Sequence, residues 1–591
     1  MRISLLVWLV LSILLVVGGL LYYPKYLRND TEATLTWDVS GYYWYLPATF
    51  IYHDLKELRF SDSIRTAYAC SPDNQQITTL PNQKRVLKYS SGMALQYLPF
   101  FAIAHASAYL FDYPPDGFSR PYQAAIHFGG LLLFIIGLYY LRRTLLFYFS
   151  DRVVAWVLFF LVLGTNYLNY ASIDTGMSHV WLFSWYALLL YLTHQYYCLP
   201  SRWKAMGIGF ICGLLALSRP TEIIAIVIPL FWGVKLLHRT SWKQRFQWIR
   251  NHVWHYFTAI VVMLALGCIQ LIYWKYATGH WLVYSYGDQS FSWFHPHVFL
   301  YALNFKSGWL IYTPLLIFAL LGFLFLGKKQ EVFLATFLFF GLSFWSVTAW
   351  DIWNYGGRAM IQSYAVLMFP LAALLTWVNT HWLKKLLFYP FAFIGVYLNI
   401  WWVHGVHRGR YIAPTDMTEA YYKKIVGRFS IEEQDRKLLD VSEDFTGIKK
   451  EVDTLFFTHF NEEKDSLNVD FIDQNYFLNI PETTAVMRIY SLPPQRLKKW
   501  VRLSADIICA KNNWDILRMT PFGIEFFKEG KTVKSNIILL DRLFYKEQRQ
   551  IIYVDAQTEG IQYDSAQVFL NNPKEAVGSF YLDWLCVETF E

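Results

Sequence analysis

Charged residues are scarce in this chain. Asp, Glu, Lys and Arg make up 16% of its 591 residues, against about a quarter in a typical soluble domain. A single water-soluble globule is thereby excluded. Cysteine is scarce too: there are 6, none in a CxxC spacing, so neither a zinc ribbon nor a dense disulfide framework is available. Cys198, Cys212 and Cys268 fall in or beside apolar runs. Cys509 and Cys586 lie in the polar C-terminal part and are expected to pair if that part is in an oxidising compartment. The net charge of +8 calls for no nucleic-acid partner, because membrane topology accounts for the basic residues.

What is abundant is apolar: 55% of the residues are hydrophobic and 19% aromatic. Apolar runs of roughly 20 residues, the length that crosses a bilayer core, recur up to about residue 405. The spans expected are 3–22, 122–141, 153–171, 179–197, 205–218, 221–237, 254–274, 309–327, 331–349, 363–379 and 386–404, about eleven in all. The first is long for a signal peptide and lacks an A-x-A site, so it reads as an uncleaved helix. With the N-terminus inside, the inner connections carry Arg142, Arg143, Arg152, Arg202, Lys204, Lys235, Arg239, Lys243, Arg245, Arg250, Lys328, Lys329, Lys384 and Lys385. The short outer ones carry Arg219, Lys275, Lys306 and Arg358, which is the positive-inside bias. The bias holds only if "MALQYLPFFAIAHASAYLF" (93–111), with Pro99 and His105, is an interfacial or re-entrant helix rather than a span.

The polar stretches then fall on the outer side, and with them Asp38, Asp112, Asp116, Asp174, Glu222, Asp288 and Asp351. Ionisable groups at membrane depth are costly and by default functional. Asp38, in the aromatic "WDVSGYYWYLPA", suits a general base or metal anchor; the plainer reading is a helix N-cap. Asp174 sits in a short turn near His179, where it is either a turn former or a second acid. Arg219 and Glu222, in "LSRPTE", form either an internal ion pair beside Pro220 or a site for an anionic head group. Arg358 follows Gly356 and Gly357 in "WDIWNYGGRAMIQSY", a pair that lets backbone come close to something; its guanidinium fork suits phosphate, the plainer reading being an arginine that snorkels to the interface. Lys306 either adds positive charge nearby or snorkels to the interface, and Lys275 reads as an interfacial anchor. Tyr42, Tyr43, Tyr286 and Trp353 suit stacking on sugar rings or, equally, an interfacial aromatic belt.

Taken in order, "DVSGYYWYLPA", "DGFSRPY", "GTNYLNYASIDTGMSH", "LSRPTE", "YATGHWLVYSY" with "GWLIYTP", and "WNYGGRAM" resemble the GT-C superfamily of polytopic glycosyltransferases. The likeness is nearest to bacterial members related to the protein O-mannosyltransferase and aminoarabinose transferase groups, and it covers residues 1–405. It implies a sugar donor linked to polyprenyl phosphate, used at the extracytoplasmic face of the bacterial inner membrane. The acceptor hydroxyl would belong to a glycan, a lipid or a protein. It also implies catalytic roles for Asp38 and Asp174. Read from the residues themselves, donor-phosphate binding falls to Arg358, Arg219 and Lys306, and substrate binding to Tyr42, Tyr43, His179, Glu222, Tyr286 and Trp353. Many members carry paired acids in the first loop. Here Val39 follows Asp38, which leaves a divalent cation an open question.

Beyond a charged segment expected to be a helical linker (406–450), short alternating runs at 451–591 predict a β-sandwich, jelly-roll-like and extracytoplasmic. Within it "EGK" after "IEFF" predicts a hairpin turn. Glycan binding, or service as a structural lid or partner-docking domain, are the roles open to it. The principal rival for the whole chain is a transporter or lipid flippase. Such a protein tends to place acids near the midplane and to show internal repeats, whereas the acids here gather toward one surface.

Overall fold

The computed structural model describes residues 2–71, 75–327, 330–350, 355–414, 416–459, 469–472, 475–480, 487–492, 494–511, 519–544, 548–570 and 579–591. The chain divides into two compact units, Met1–Arg408 and Gly409–Glu591.

The first unit is helical. Six of its helices are long and apolar enough to cross a membrane: Ile3–Leu27, Arg120–Leu145, Val253–Thr278, Glu331–Ala349, Gly357–Val378 and Trp382–His407. The remaining five expected spans are shorter, broken or less apolar, and each departure has a local cause. The run at 153–171 stops at Gly164, giving Asp151–Leu163 and then Tyr167–Ser172. Pro220 converts the start of 221–237 into a 3-10 turn, Pro220–Ile226, followed by the short helix Val227–Phe231. Thr313 and Pro314 split 309–327 into Trp309–Tyr312 and Leu316–Leu326. Ser178–Cys198 is continuous but carries His, Thr and Gln along its length, and Arg202–Ser218 is 17 residues long. The segment 93–111 is a helix, Gly92–Leu110, with Pro99 inside it. Its Gln96 donates to Ser218 at 2.8 Å and accepts from the Trp185 indole at 2.7 Å.

The helix ends sort into two sets. At one end, Ser4 is held by the Asp151 carboxylate and accepts from Arg142 Nε at 2.7 Å. Tyr148 meets His194 there, and Tyr197 donates to the Pro229 carbonyl. At the other end, Lys25 reaches Asp174, and His407 meets Asn169. Antiparallel helix ends explain why residues far apart in sequence gather at one level.

Val253–Thr278 is the least buried of the six long helices. It is gripped by Arg202–Ser218 through two glycines four residues apart. A Cβ at Gly209 would stand 2.2 Å from the Ala259 carbonyl oxygen, and one at Gly213 2.9 Å from Met263 Cα. Small residues at this spacing let helix backbones touch in an apolar medium. Gly209→Leu is therefore expected to push Val253–Thr278 away. A drop in the thermal midpoint of the purified protein, matching overpacking of roughly 1–3 kcal/mol, would register it; an unchanged midpoint would rule out this contact as the grip.

The second unit is built of antiparallel strands in two sheets. One has the order Arg549–Gln557, Trp500–Lys511, Ser579–Phe590, Asn475–Ile480, Val469–Ile472, with Asp453–His459 also on Ser579–Phe590; the other runs Met487–Leu492, Ser565–Leu570, Pro521–Lys528, Lys531–Leu539. Val501, Leu503, Ala505 and Ile507 from the first and Phe522, Ile524 and Phe526 from the second share one core, as the period-2 alternation of each strand requires. The turn at Glu529 and Gly530 has φ of 52° and 74°, the two-residue hairpin that "EGK" signalled. The charged segment expected as a linker is part of this unit from residue 409 onward. It holds one short helix, Glu419–Ile425, and the 3-10 turn Glu433–Leu439. Val441 lies in the core, and Asp440 pairs with Arg542 at 2.6 Å.

All six cysteines are free thiols. Cys509 and Cys586 lie on neighbouring strands, but their ladder partners are Phe580 and Ser504. They are thus offset by about 17 Å along the ladder, too far for a disulfide.

Candidate functional site

Asp38 lies in the first turn of the short helix Trp37–Tyr43. It does not cap that helix, because its two carboxylate oxygens are engaged elsewhere. Oδ1 accepts from the Tyr89 hydroxyl at 2.8 Å, and Oδ2 from Arg358 Nη2 at 2.5 Å. Trp37 enters the helix at φ 47°, a left-handed conformation uncommon for a bulky residue and typical of constrained sites. Its N–H donates to the Cys70 carbonyl at 2.9 Å, and its indole to that of Thr31 at 3.0 Å.

Arg358 is set by the glycine before it. Gly357 has φ 59°, and a Cβ there would stand 2.4 Å from Trp309 Cδ1. Only glycine fits both the conformation and the space. The close approach read from the Gly-Gly pair is therefore made to the protein's own indole. Trp309 in turn donates to the Tyr364 hydroxyl at 2.9 Å, and Tyr364 to Asn166 Oδ1 at 2.8 Å. The Arg358 and Asp38 side chains remain 20% and 22% exposed, so the pair is open to a ligand.

Tyr42 packs 4.5 Å from Tyr89, ring to ring, and accepts from Ser178 Oγ at 3.2 Å. Burial, and then the Asp38 charge, push its hydroxyl up to about 12. Burial drives Tyr89 far above the ordinary tyrosine range, with Asp38 adding to it. Both phenols therefore stay protonated, and that of Tyr89 donates to Asp38. Tyr286 stands against Tyr89 and Trp350, with ring centroids at 6.0 and 5.5 Å. Lys88 lies over the rings of Tyr89 and Tyr286 at 5.7 and 5.8 Å.

Arg219 and Glu222 do not pair with each other. Arg219 Nη1 meets His179 Nδ1 at 2.8 Å, and His179 stands 3.2 Å from Gln362 Oε1. A guanidinium only donates, so Nδ1 presents a lone pair to it. Glu222 is 2% exposed and accepts from Tyr186 and, at 2.9 Å, from Gln362 Nε2. The turn at Pro220 sends the two side chains apart, so of the two readings of "LSRPTE" the internal ion pair is not formed: Arg219 meets His179, and Glu222 meets Tyr186 and Gln362.

Asp174 is already neutralised. Lys25 Nζ reaches its Oδ1 at 2.6 Å, and Asn169 Nδ2 donates to Oδ2 at 2.8 Å. Burial alone would raise the carboxyl; the Lys25 ammonium outweighs it and, with His407, holds the group down at about 2.

The structure thus brings together Asp38, Arg358, Tyr42, Tyr286, Arg219 and His179. It separates others. Tyr43 is fully buried and donates to the Gly117 carbonyl at 2.7 Å, so it shapes the loop and does not face a substrate. Glu222 is likewise enclosed. Lys306 is exposed in the turn before Trp309, and its described hydrogen bond is local, from its N–H to Asn304. Trp353 and Asp351 lie outside the described residues. Among the described residues no group of three His, Cys, Asp or Glu side chains is placed to hold a metal. Lys25, Tyr89 and Lys88 were missed by the sequence reading. Lys25 in "YYPKYL" stands just past the first span, where a basic residue is ordinary, and "KYSS" lies about fifty residues beyond Asp38 in the same loop.

No protein-family model matches the chain, and no curated protein matches it.

Proposed function

We propose that the protein transfers a sugar from a polyprenyl-phosphate donor to an acceptor hydroxyl at the extracytoplasmic face of a bacterial inner membrane. The observation that carries this reading is the half-open pair of Asp38 and Arg358, at the same end of the bundle as Arg219. A carboxylate beside a guanidinium supplies the two groups this reaction needs. Asp38 takes the proton of the acceptor hydroxyl as its oxygen bonds to the anomeric carbon. The bond from that carbon to the phosphate oxygen breaks, and the electron pair leaves with the polyprenyl phosphate. Arg358, with Arg219 behind it, stabilises the added negative charge. Tyr89, with Tyr42 packed on its ring, keeps Asp38 oriented. Tyr286 and Trp350 offer faces for a sugar ring.

The order of the outer-loop motifs, which resembles that of GT-C enzymes, supports the same reading. So does the grouping of these residues at one level, since a transporter site belongs near the midplane. About eleven membrane passages, a jelly-roll connection of the second unit and its place outside the membrane belong to this proposal as well.

The test is transfer itself. Purified protein given candidate polyprenyl-phosphate sugars and hydroxyl acceptors is expected to yield glycosylated product and free polyprenyl phosphate in equal amounts. Donor consumed without either product, or movement of intact donor across a vesicle, would overturn the proposal. Arg358→Gln is expected to raise the donor KM by about tenfold to a hundredfold, the worth of a charge-assisted contact. An unchanged donor KM would remove Arg358 from phosphate binding.

A further inference from the structure

The end of the bundle opposite the site carries a helix that the proposed reaction does not use. Arg239–Asn251, sequence RTSWKQRFQWIRN, contains four basic residues and no acid. Its inward side is fixed. Trp248 packs on Tyr197 with centroids 5.5 Å apart, and the Arg245 guanidinium lies 4.0 Å from the Tyr197 ring centre while donating to the Trp232 carbonyl. The turn leading in is built by Gly233, φ 82°, whose N–H donates to the Glu331 carbonyl at 2.7 Å. The Trp242 indole donates back to the Leu236 carbonyl at 3.1 Å.

The outward side is one basic stripe. Arg239, Lys243 and Arg250 stand four and seven residues apart, within about 40° of one another around the axis. All three are exposed, and among the described residues none makes an ion pair. Phe246, 72% exposed, sits on the same side, with Trp242 at its margin. Asn251 and His252 then lead directly into Val253–Thr278, a helix long and apolar enough to cross a membrane. Its first turns expose Val253, Trp254 and Phe257. A helix joined so closely to the end of a span has to lie at head-group depth. An exposed aromatic ring within a cationic stripe fits the boundary of acyl chain and phosphate.

We infer that Arg239–Asn251 is a docking surface for anionic lipid head groups, with Arg239, Lys243 and Arg250 on phosphate and Phe246 below it. The inference is independent of the proposed sugar transfer.

The test uses the full-length protein in mixed micelles of phosphatidylglycerol and phosphatidylcholine, with bound lipid counted by native mass spectrometry. The wild type is expected to retain phosphatidylglycerol by roughly tenfold over phosphatidylcholine, a modest share of what three surface cations supply. The variant R239Q/K243Q/R250Q is expected to fall below about twofold, as is the wild type in molar salt, where screening is nearly complete. The salt arm decides the matter if the variant does not fold. The control K499Q/K528Q/K531Q, with the same loss of charge in the second unit, is expected to keep the preference. No preference in the wild type, the preference persisting in the helix variant or in salt, or equal loss in both variants would overturn the inference. Persistence would leave the stripe to an acidic protein partner.

Discussion

Asp38→Asn is expected to abolish sugar transfer while leaving the protein folded and able to bind donor. The substitution keeps the size of the side chain and removes its charge. The amide no longer takes a proton from an acceptor hydroxyl, a loss of about a hundredfold to ten-thousandfold in turnover. It still accepts from Tyr89, so the helix start at Trp37–Tyr43 is kept. Its NH2 faces Arg358 without accepting from it, which frees the guanidinium now tied to Asp38 at 2.5 Å. Affinity for a polyprenyl phosphate without sugar is therefore expected to rise as turnover falls. Both halves of the pair are about one-fifth exposed, so solvent offsets only part of the cost of the unpaired arginine, and the thermal midpoint falls by less than when the more enclosed Lys25–Asp174 pair is broken. An Asn variant as active as the wild type would remove Asp38 from the chemistry. Weaker binding of polyprenyl phosphate would show that the pair does not compete with the donor.

The second large effect falls on stability. Lys25→Met or Asp174→Asn, each alone, is expected to destabilise the first unit by roughly 3–5 kcal/mol, because each leaves its partner's polar group enclosed without its counterpart. The Lys25 and Asp174 side chains are only 13% and 16% exposed, so little screening reduces the figure. The double variant Lys25→Met/Asp174→Leu is expected to recover most of the loss, since two apolar groups need no pairing. Acid provides a second check. The Asp174 carboxyl is held at about 2 against an ordinary 3.8. Its contribution is complete above the unfolded value and is lost as pH falls through the folded one. Wild-type stability attributable to the pair is thus flat from pH 5 upward and declines between about 4 and 2. Melting curves of the four proteins across that range measure both effects. A double variant that folds but transfers no sugar would return Asp174 to the chemistry.

That contrast marks what the sequence could convey. Asp38 and Asp174 looked alike: each was a lone acid in an outer, aromatic-rich loop. The difference lies in partners hundreds of residues away or hidden as ordinary anchors, and periodicity carries no information about those. The break at Pro220 was legible and is there; Pro314 and Gly164 also stood in plain view, yet apolar composition outweighed them in drawing continuous spans. Glycine reading succeeded at Gly357 in kind but not in object, because the neighbour is Trp309 rather than a ligand. In the second unit, strands such as Trp500–Lys511 and Ser579–Phe590 were legible from alternation. Asp453–His459, Val469–Ile472 and Asn475–Ile480 were not, since their residues mix polar and apolar without a clean period. The disulfide expectation failed on register, which composition does not contain.

The ion pair at the centre of the site joins residues 320 positions apart. Its acidic half leaves the ribosome with the first loop and its basic half long afterwards, when most of the helices have been inserted. Until then the carboxylate waits without its counterpart. No N-terminal fragment ending before Arg358 contains the pair, so the site cannot survive in a chain cut short of that residue.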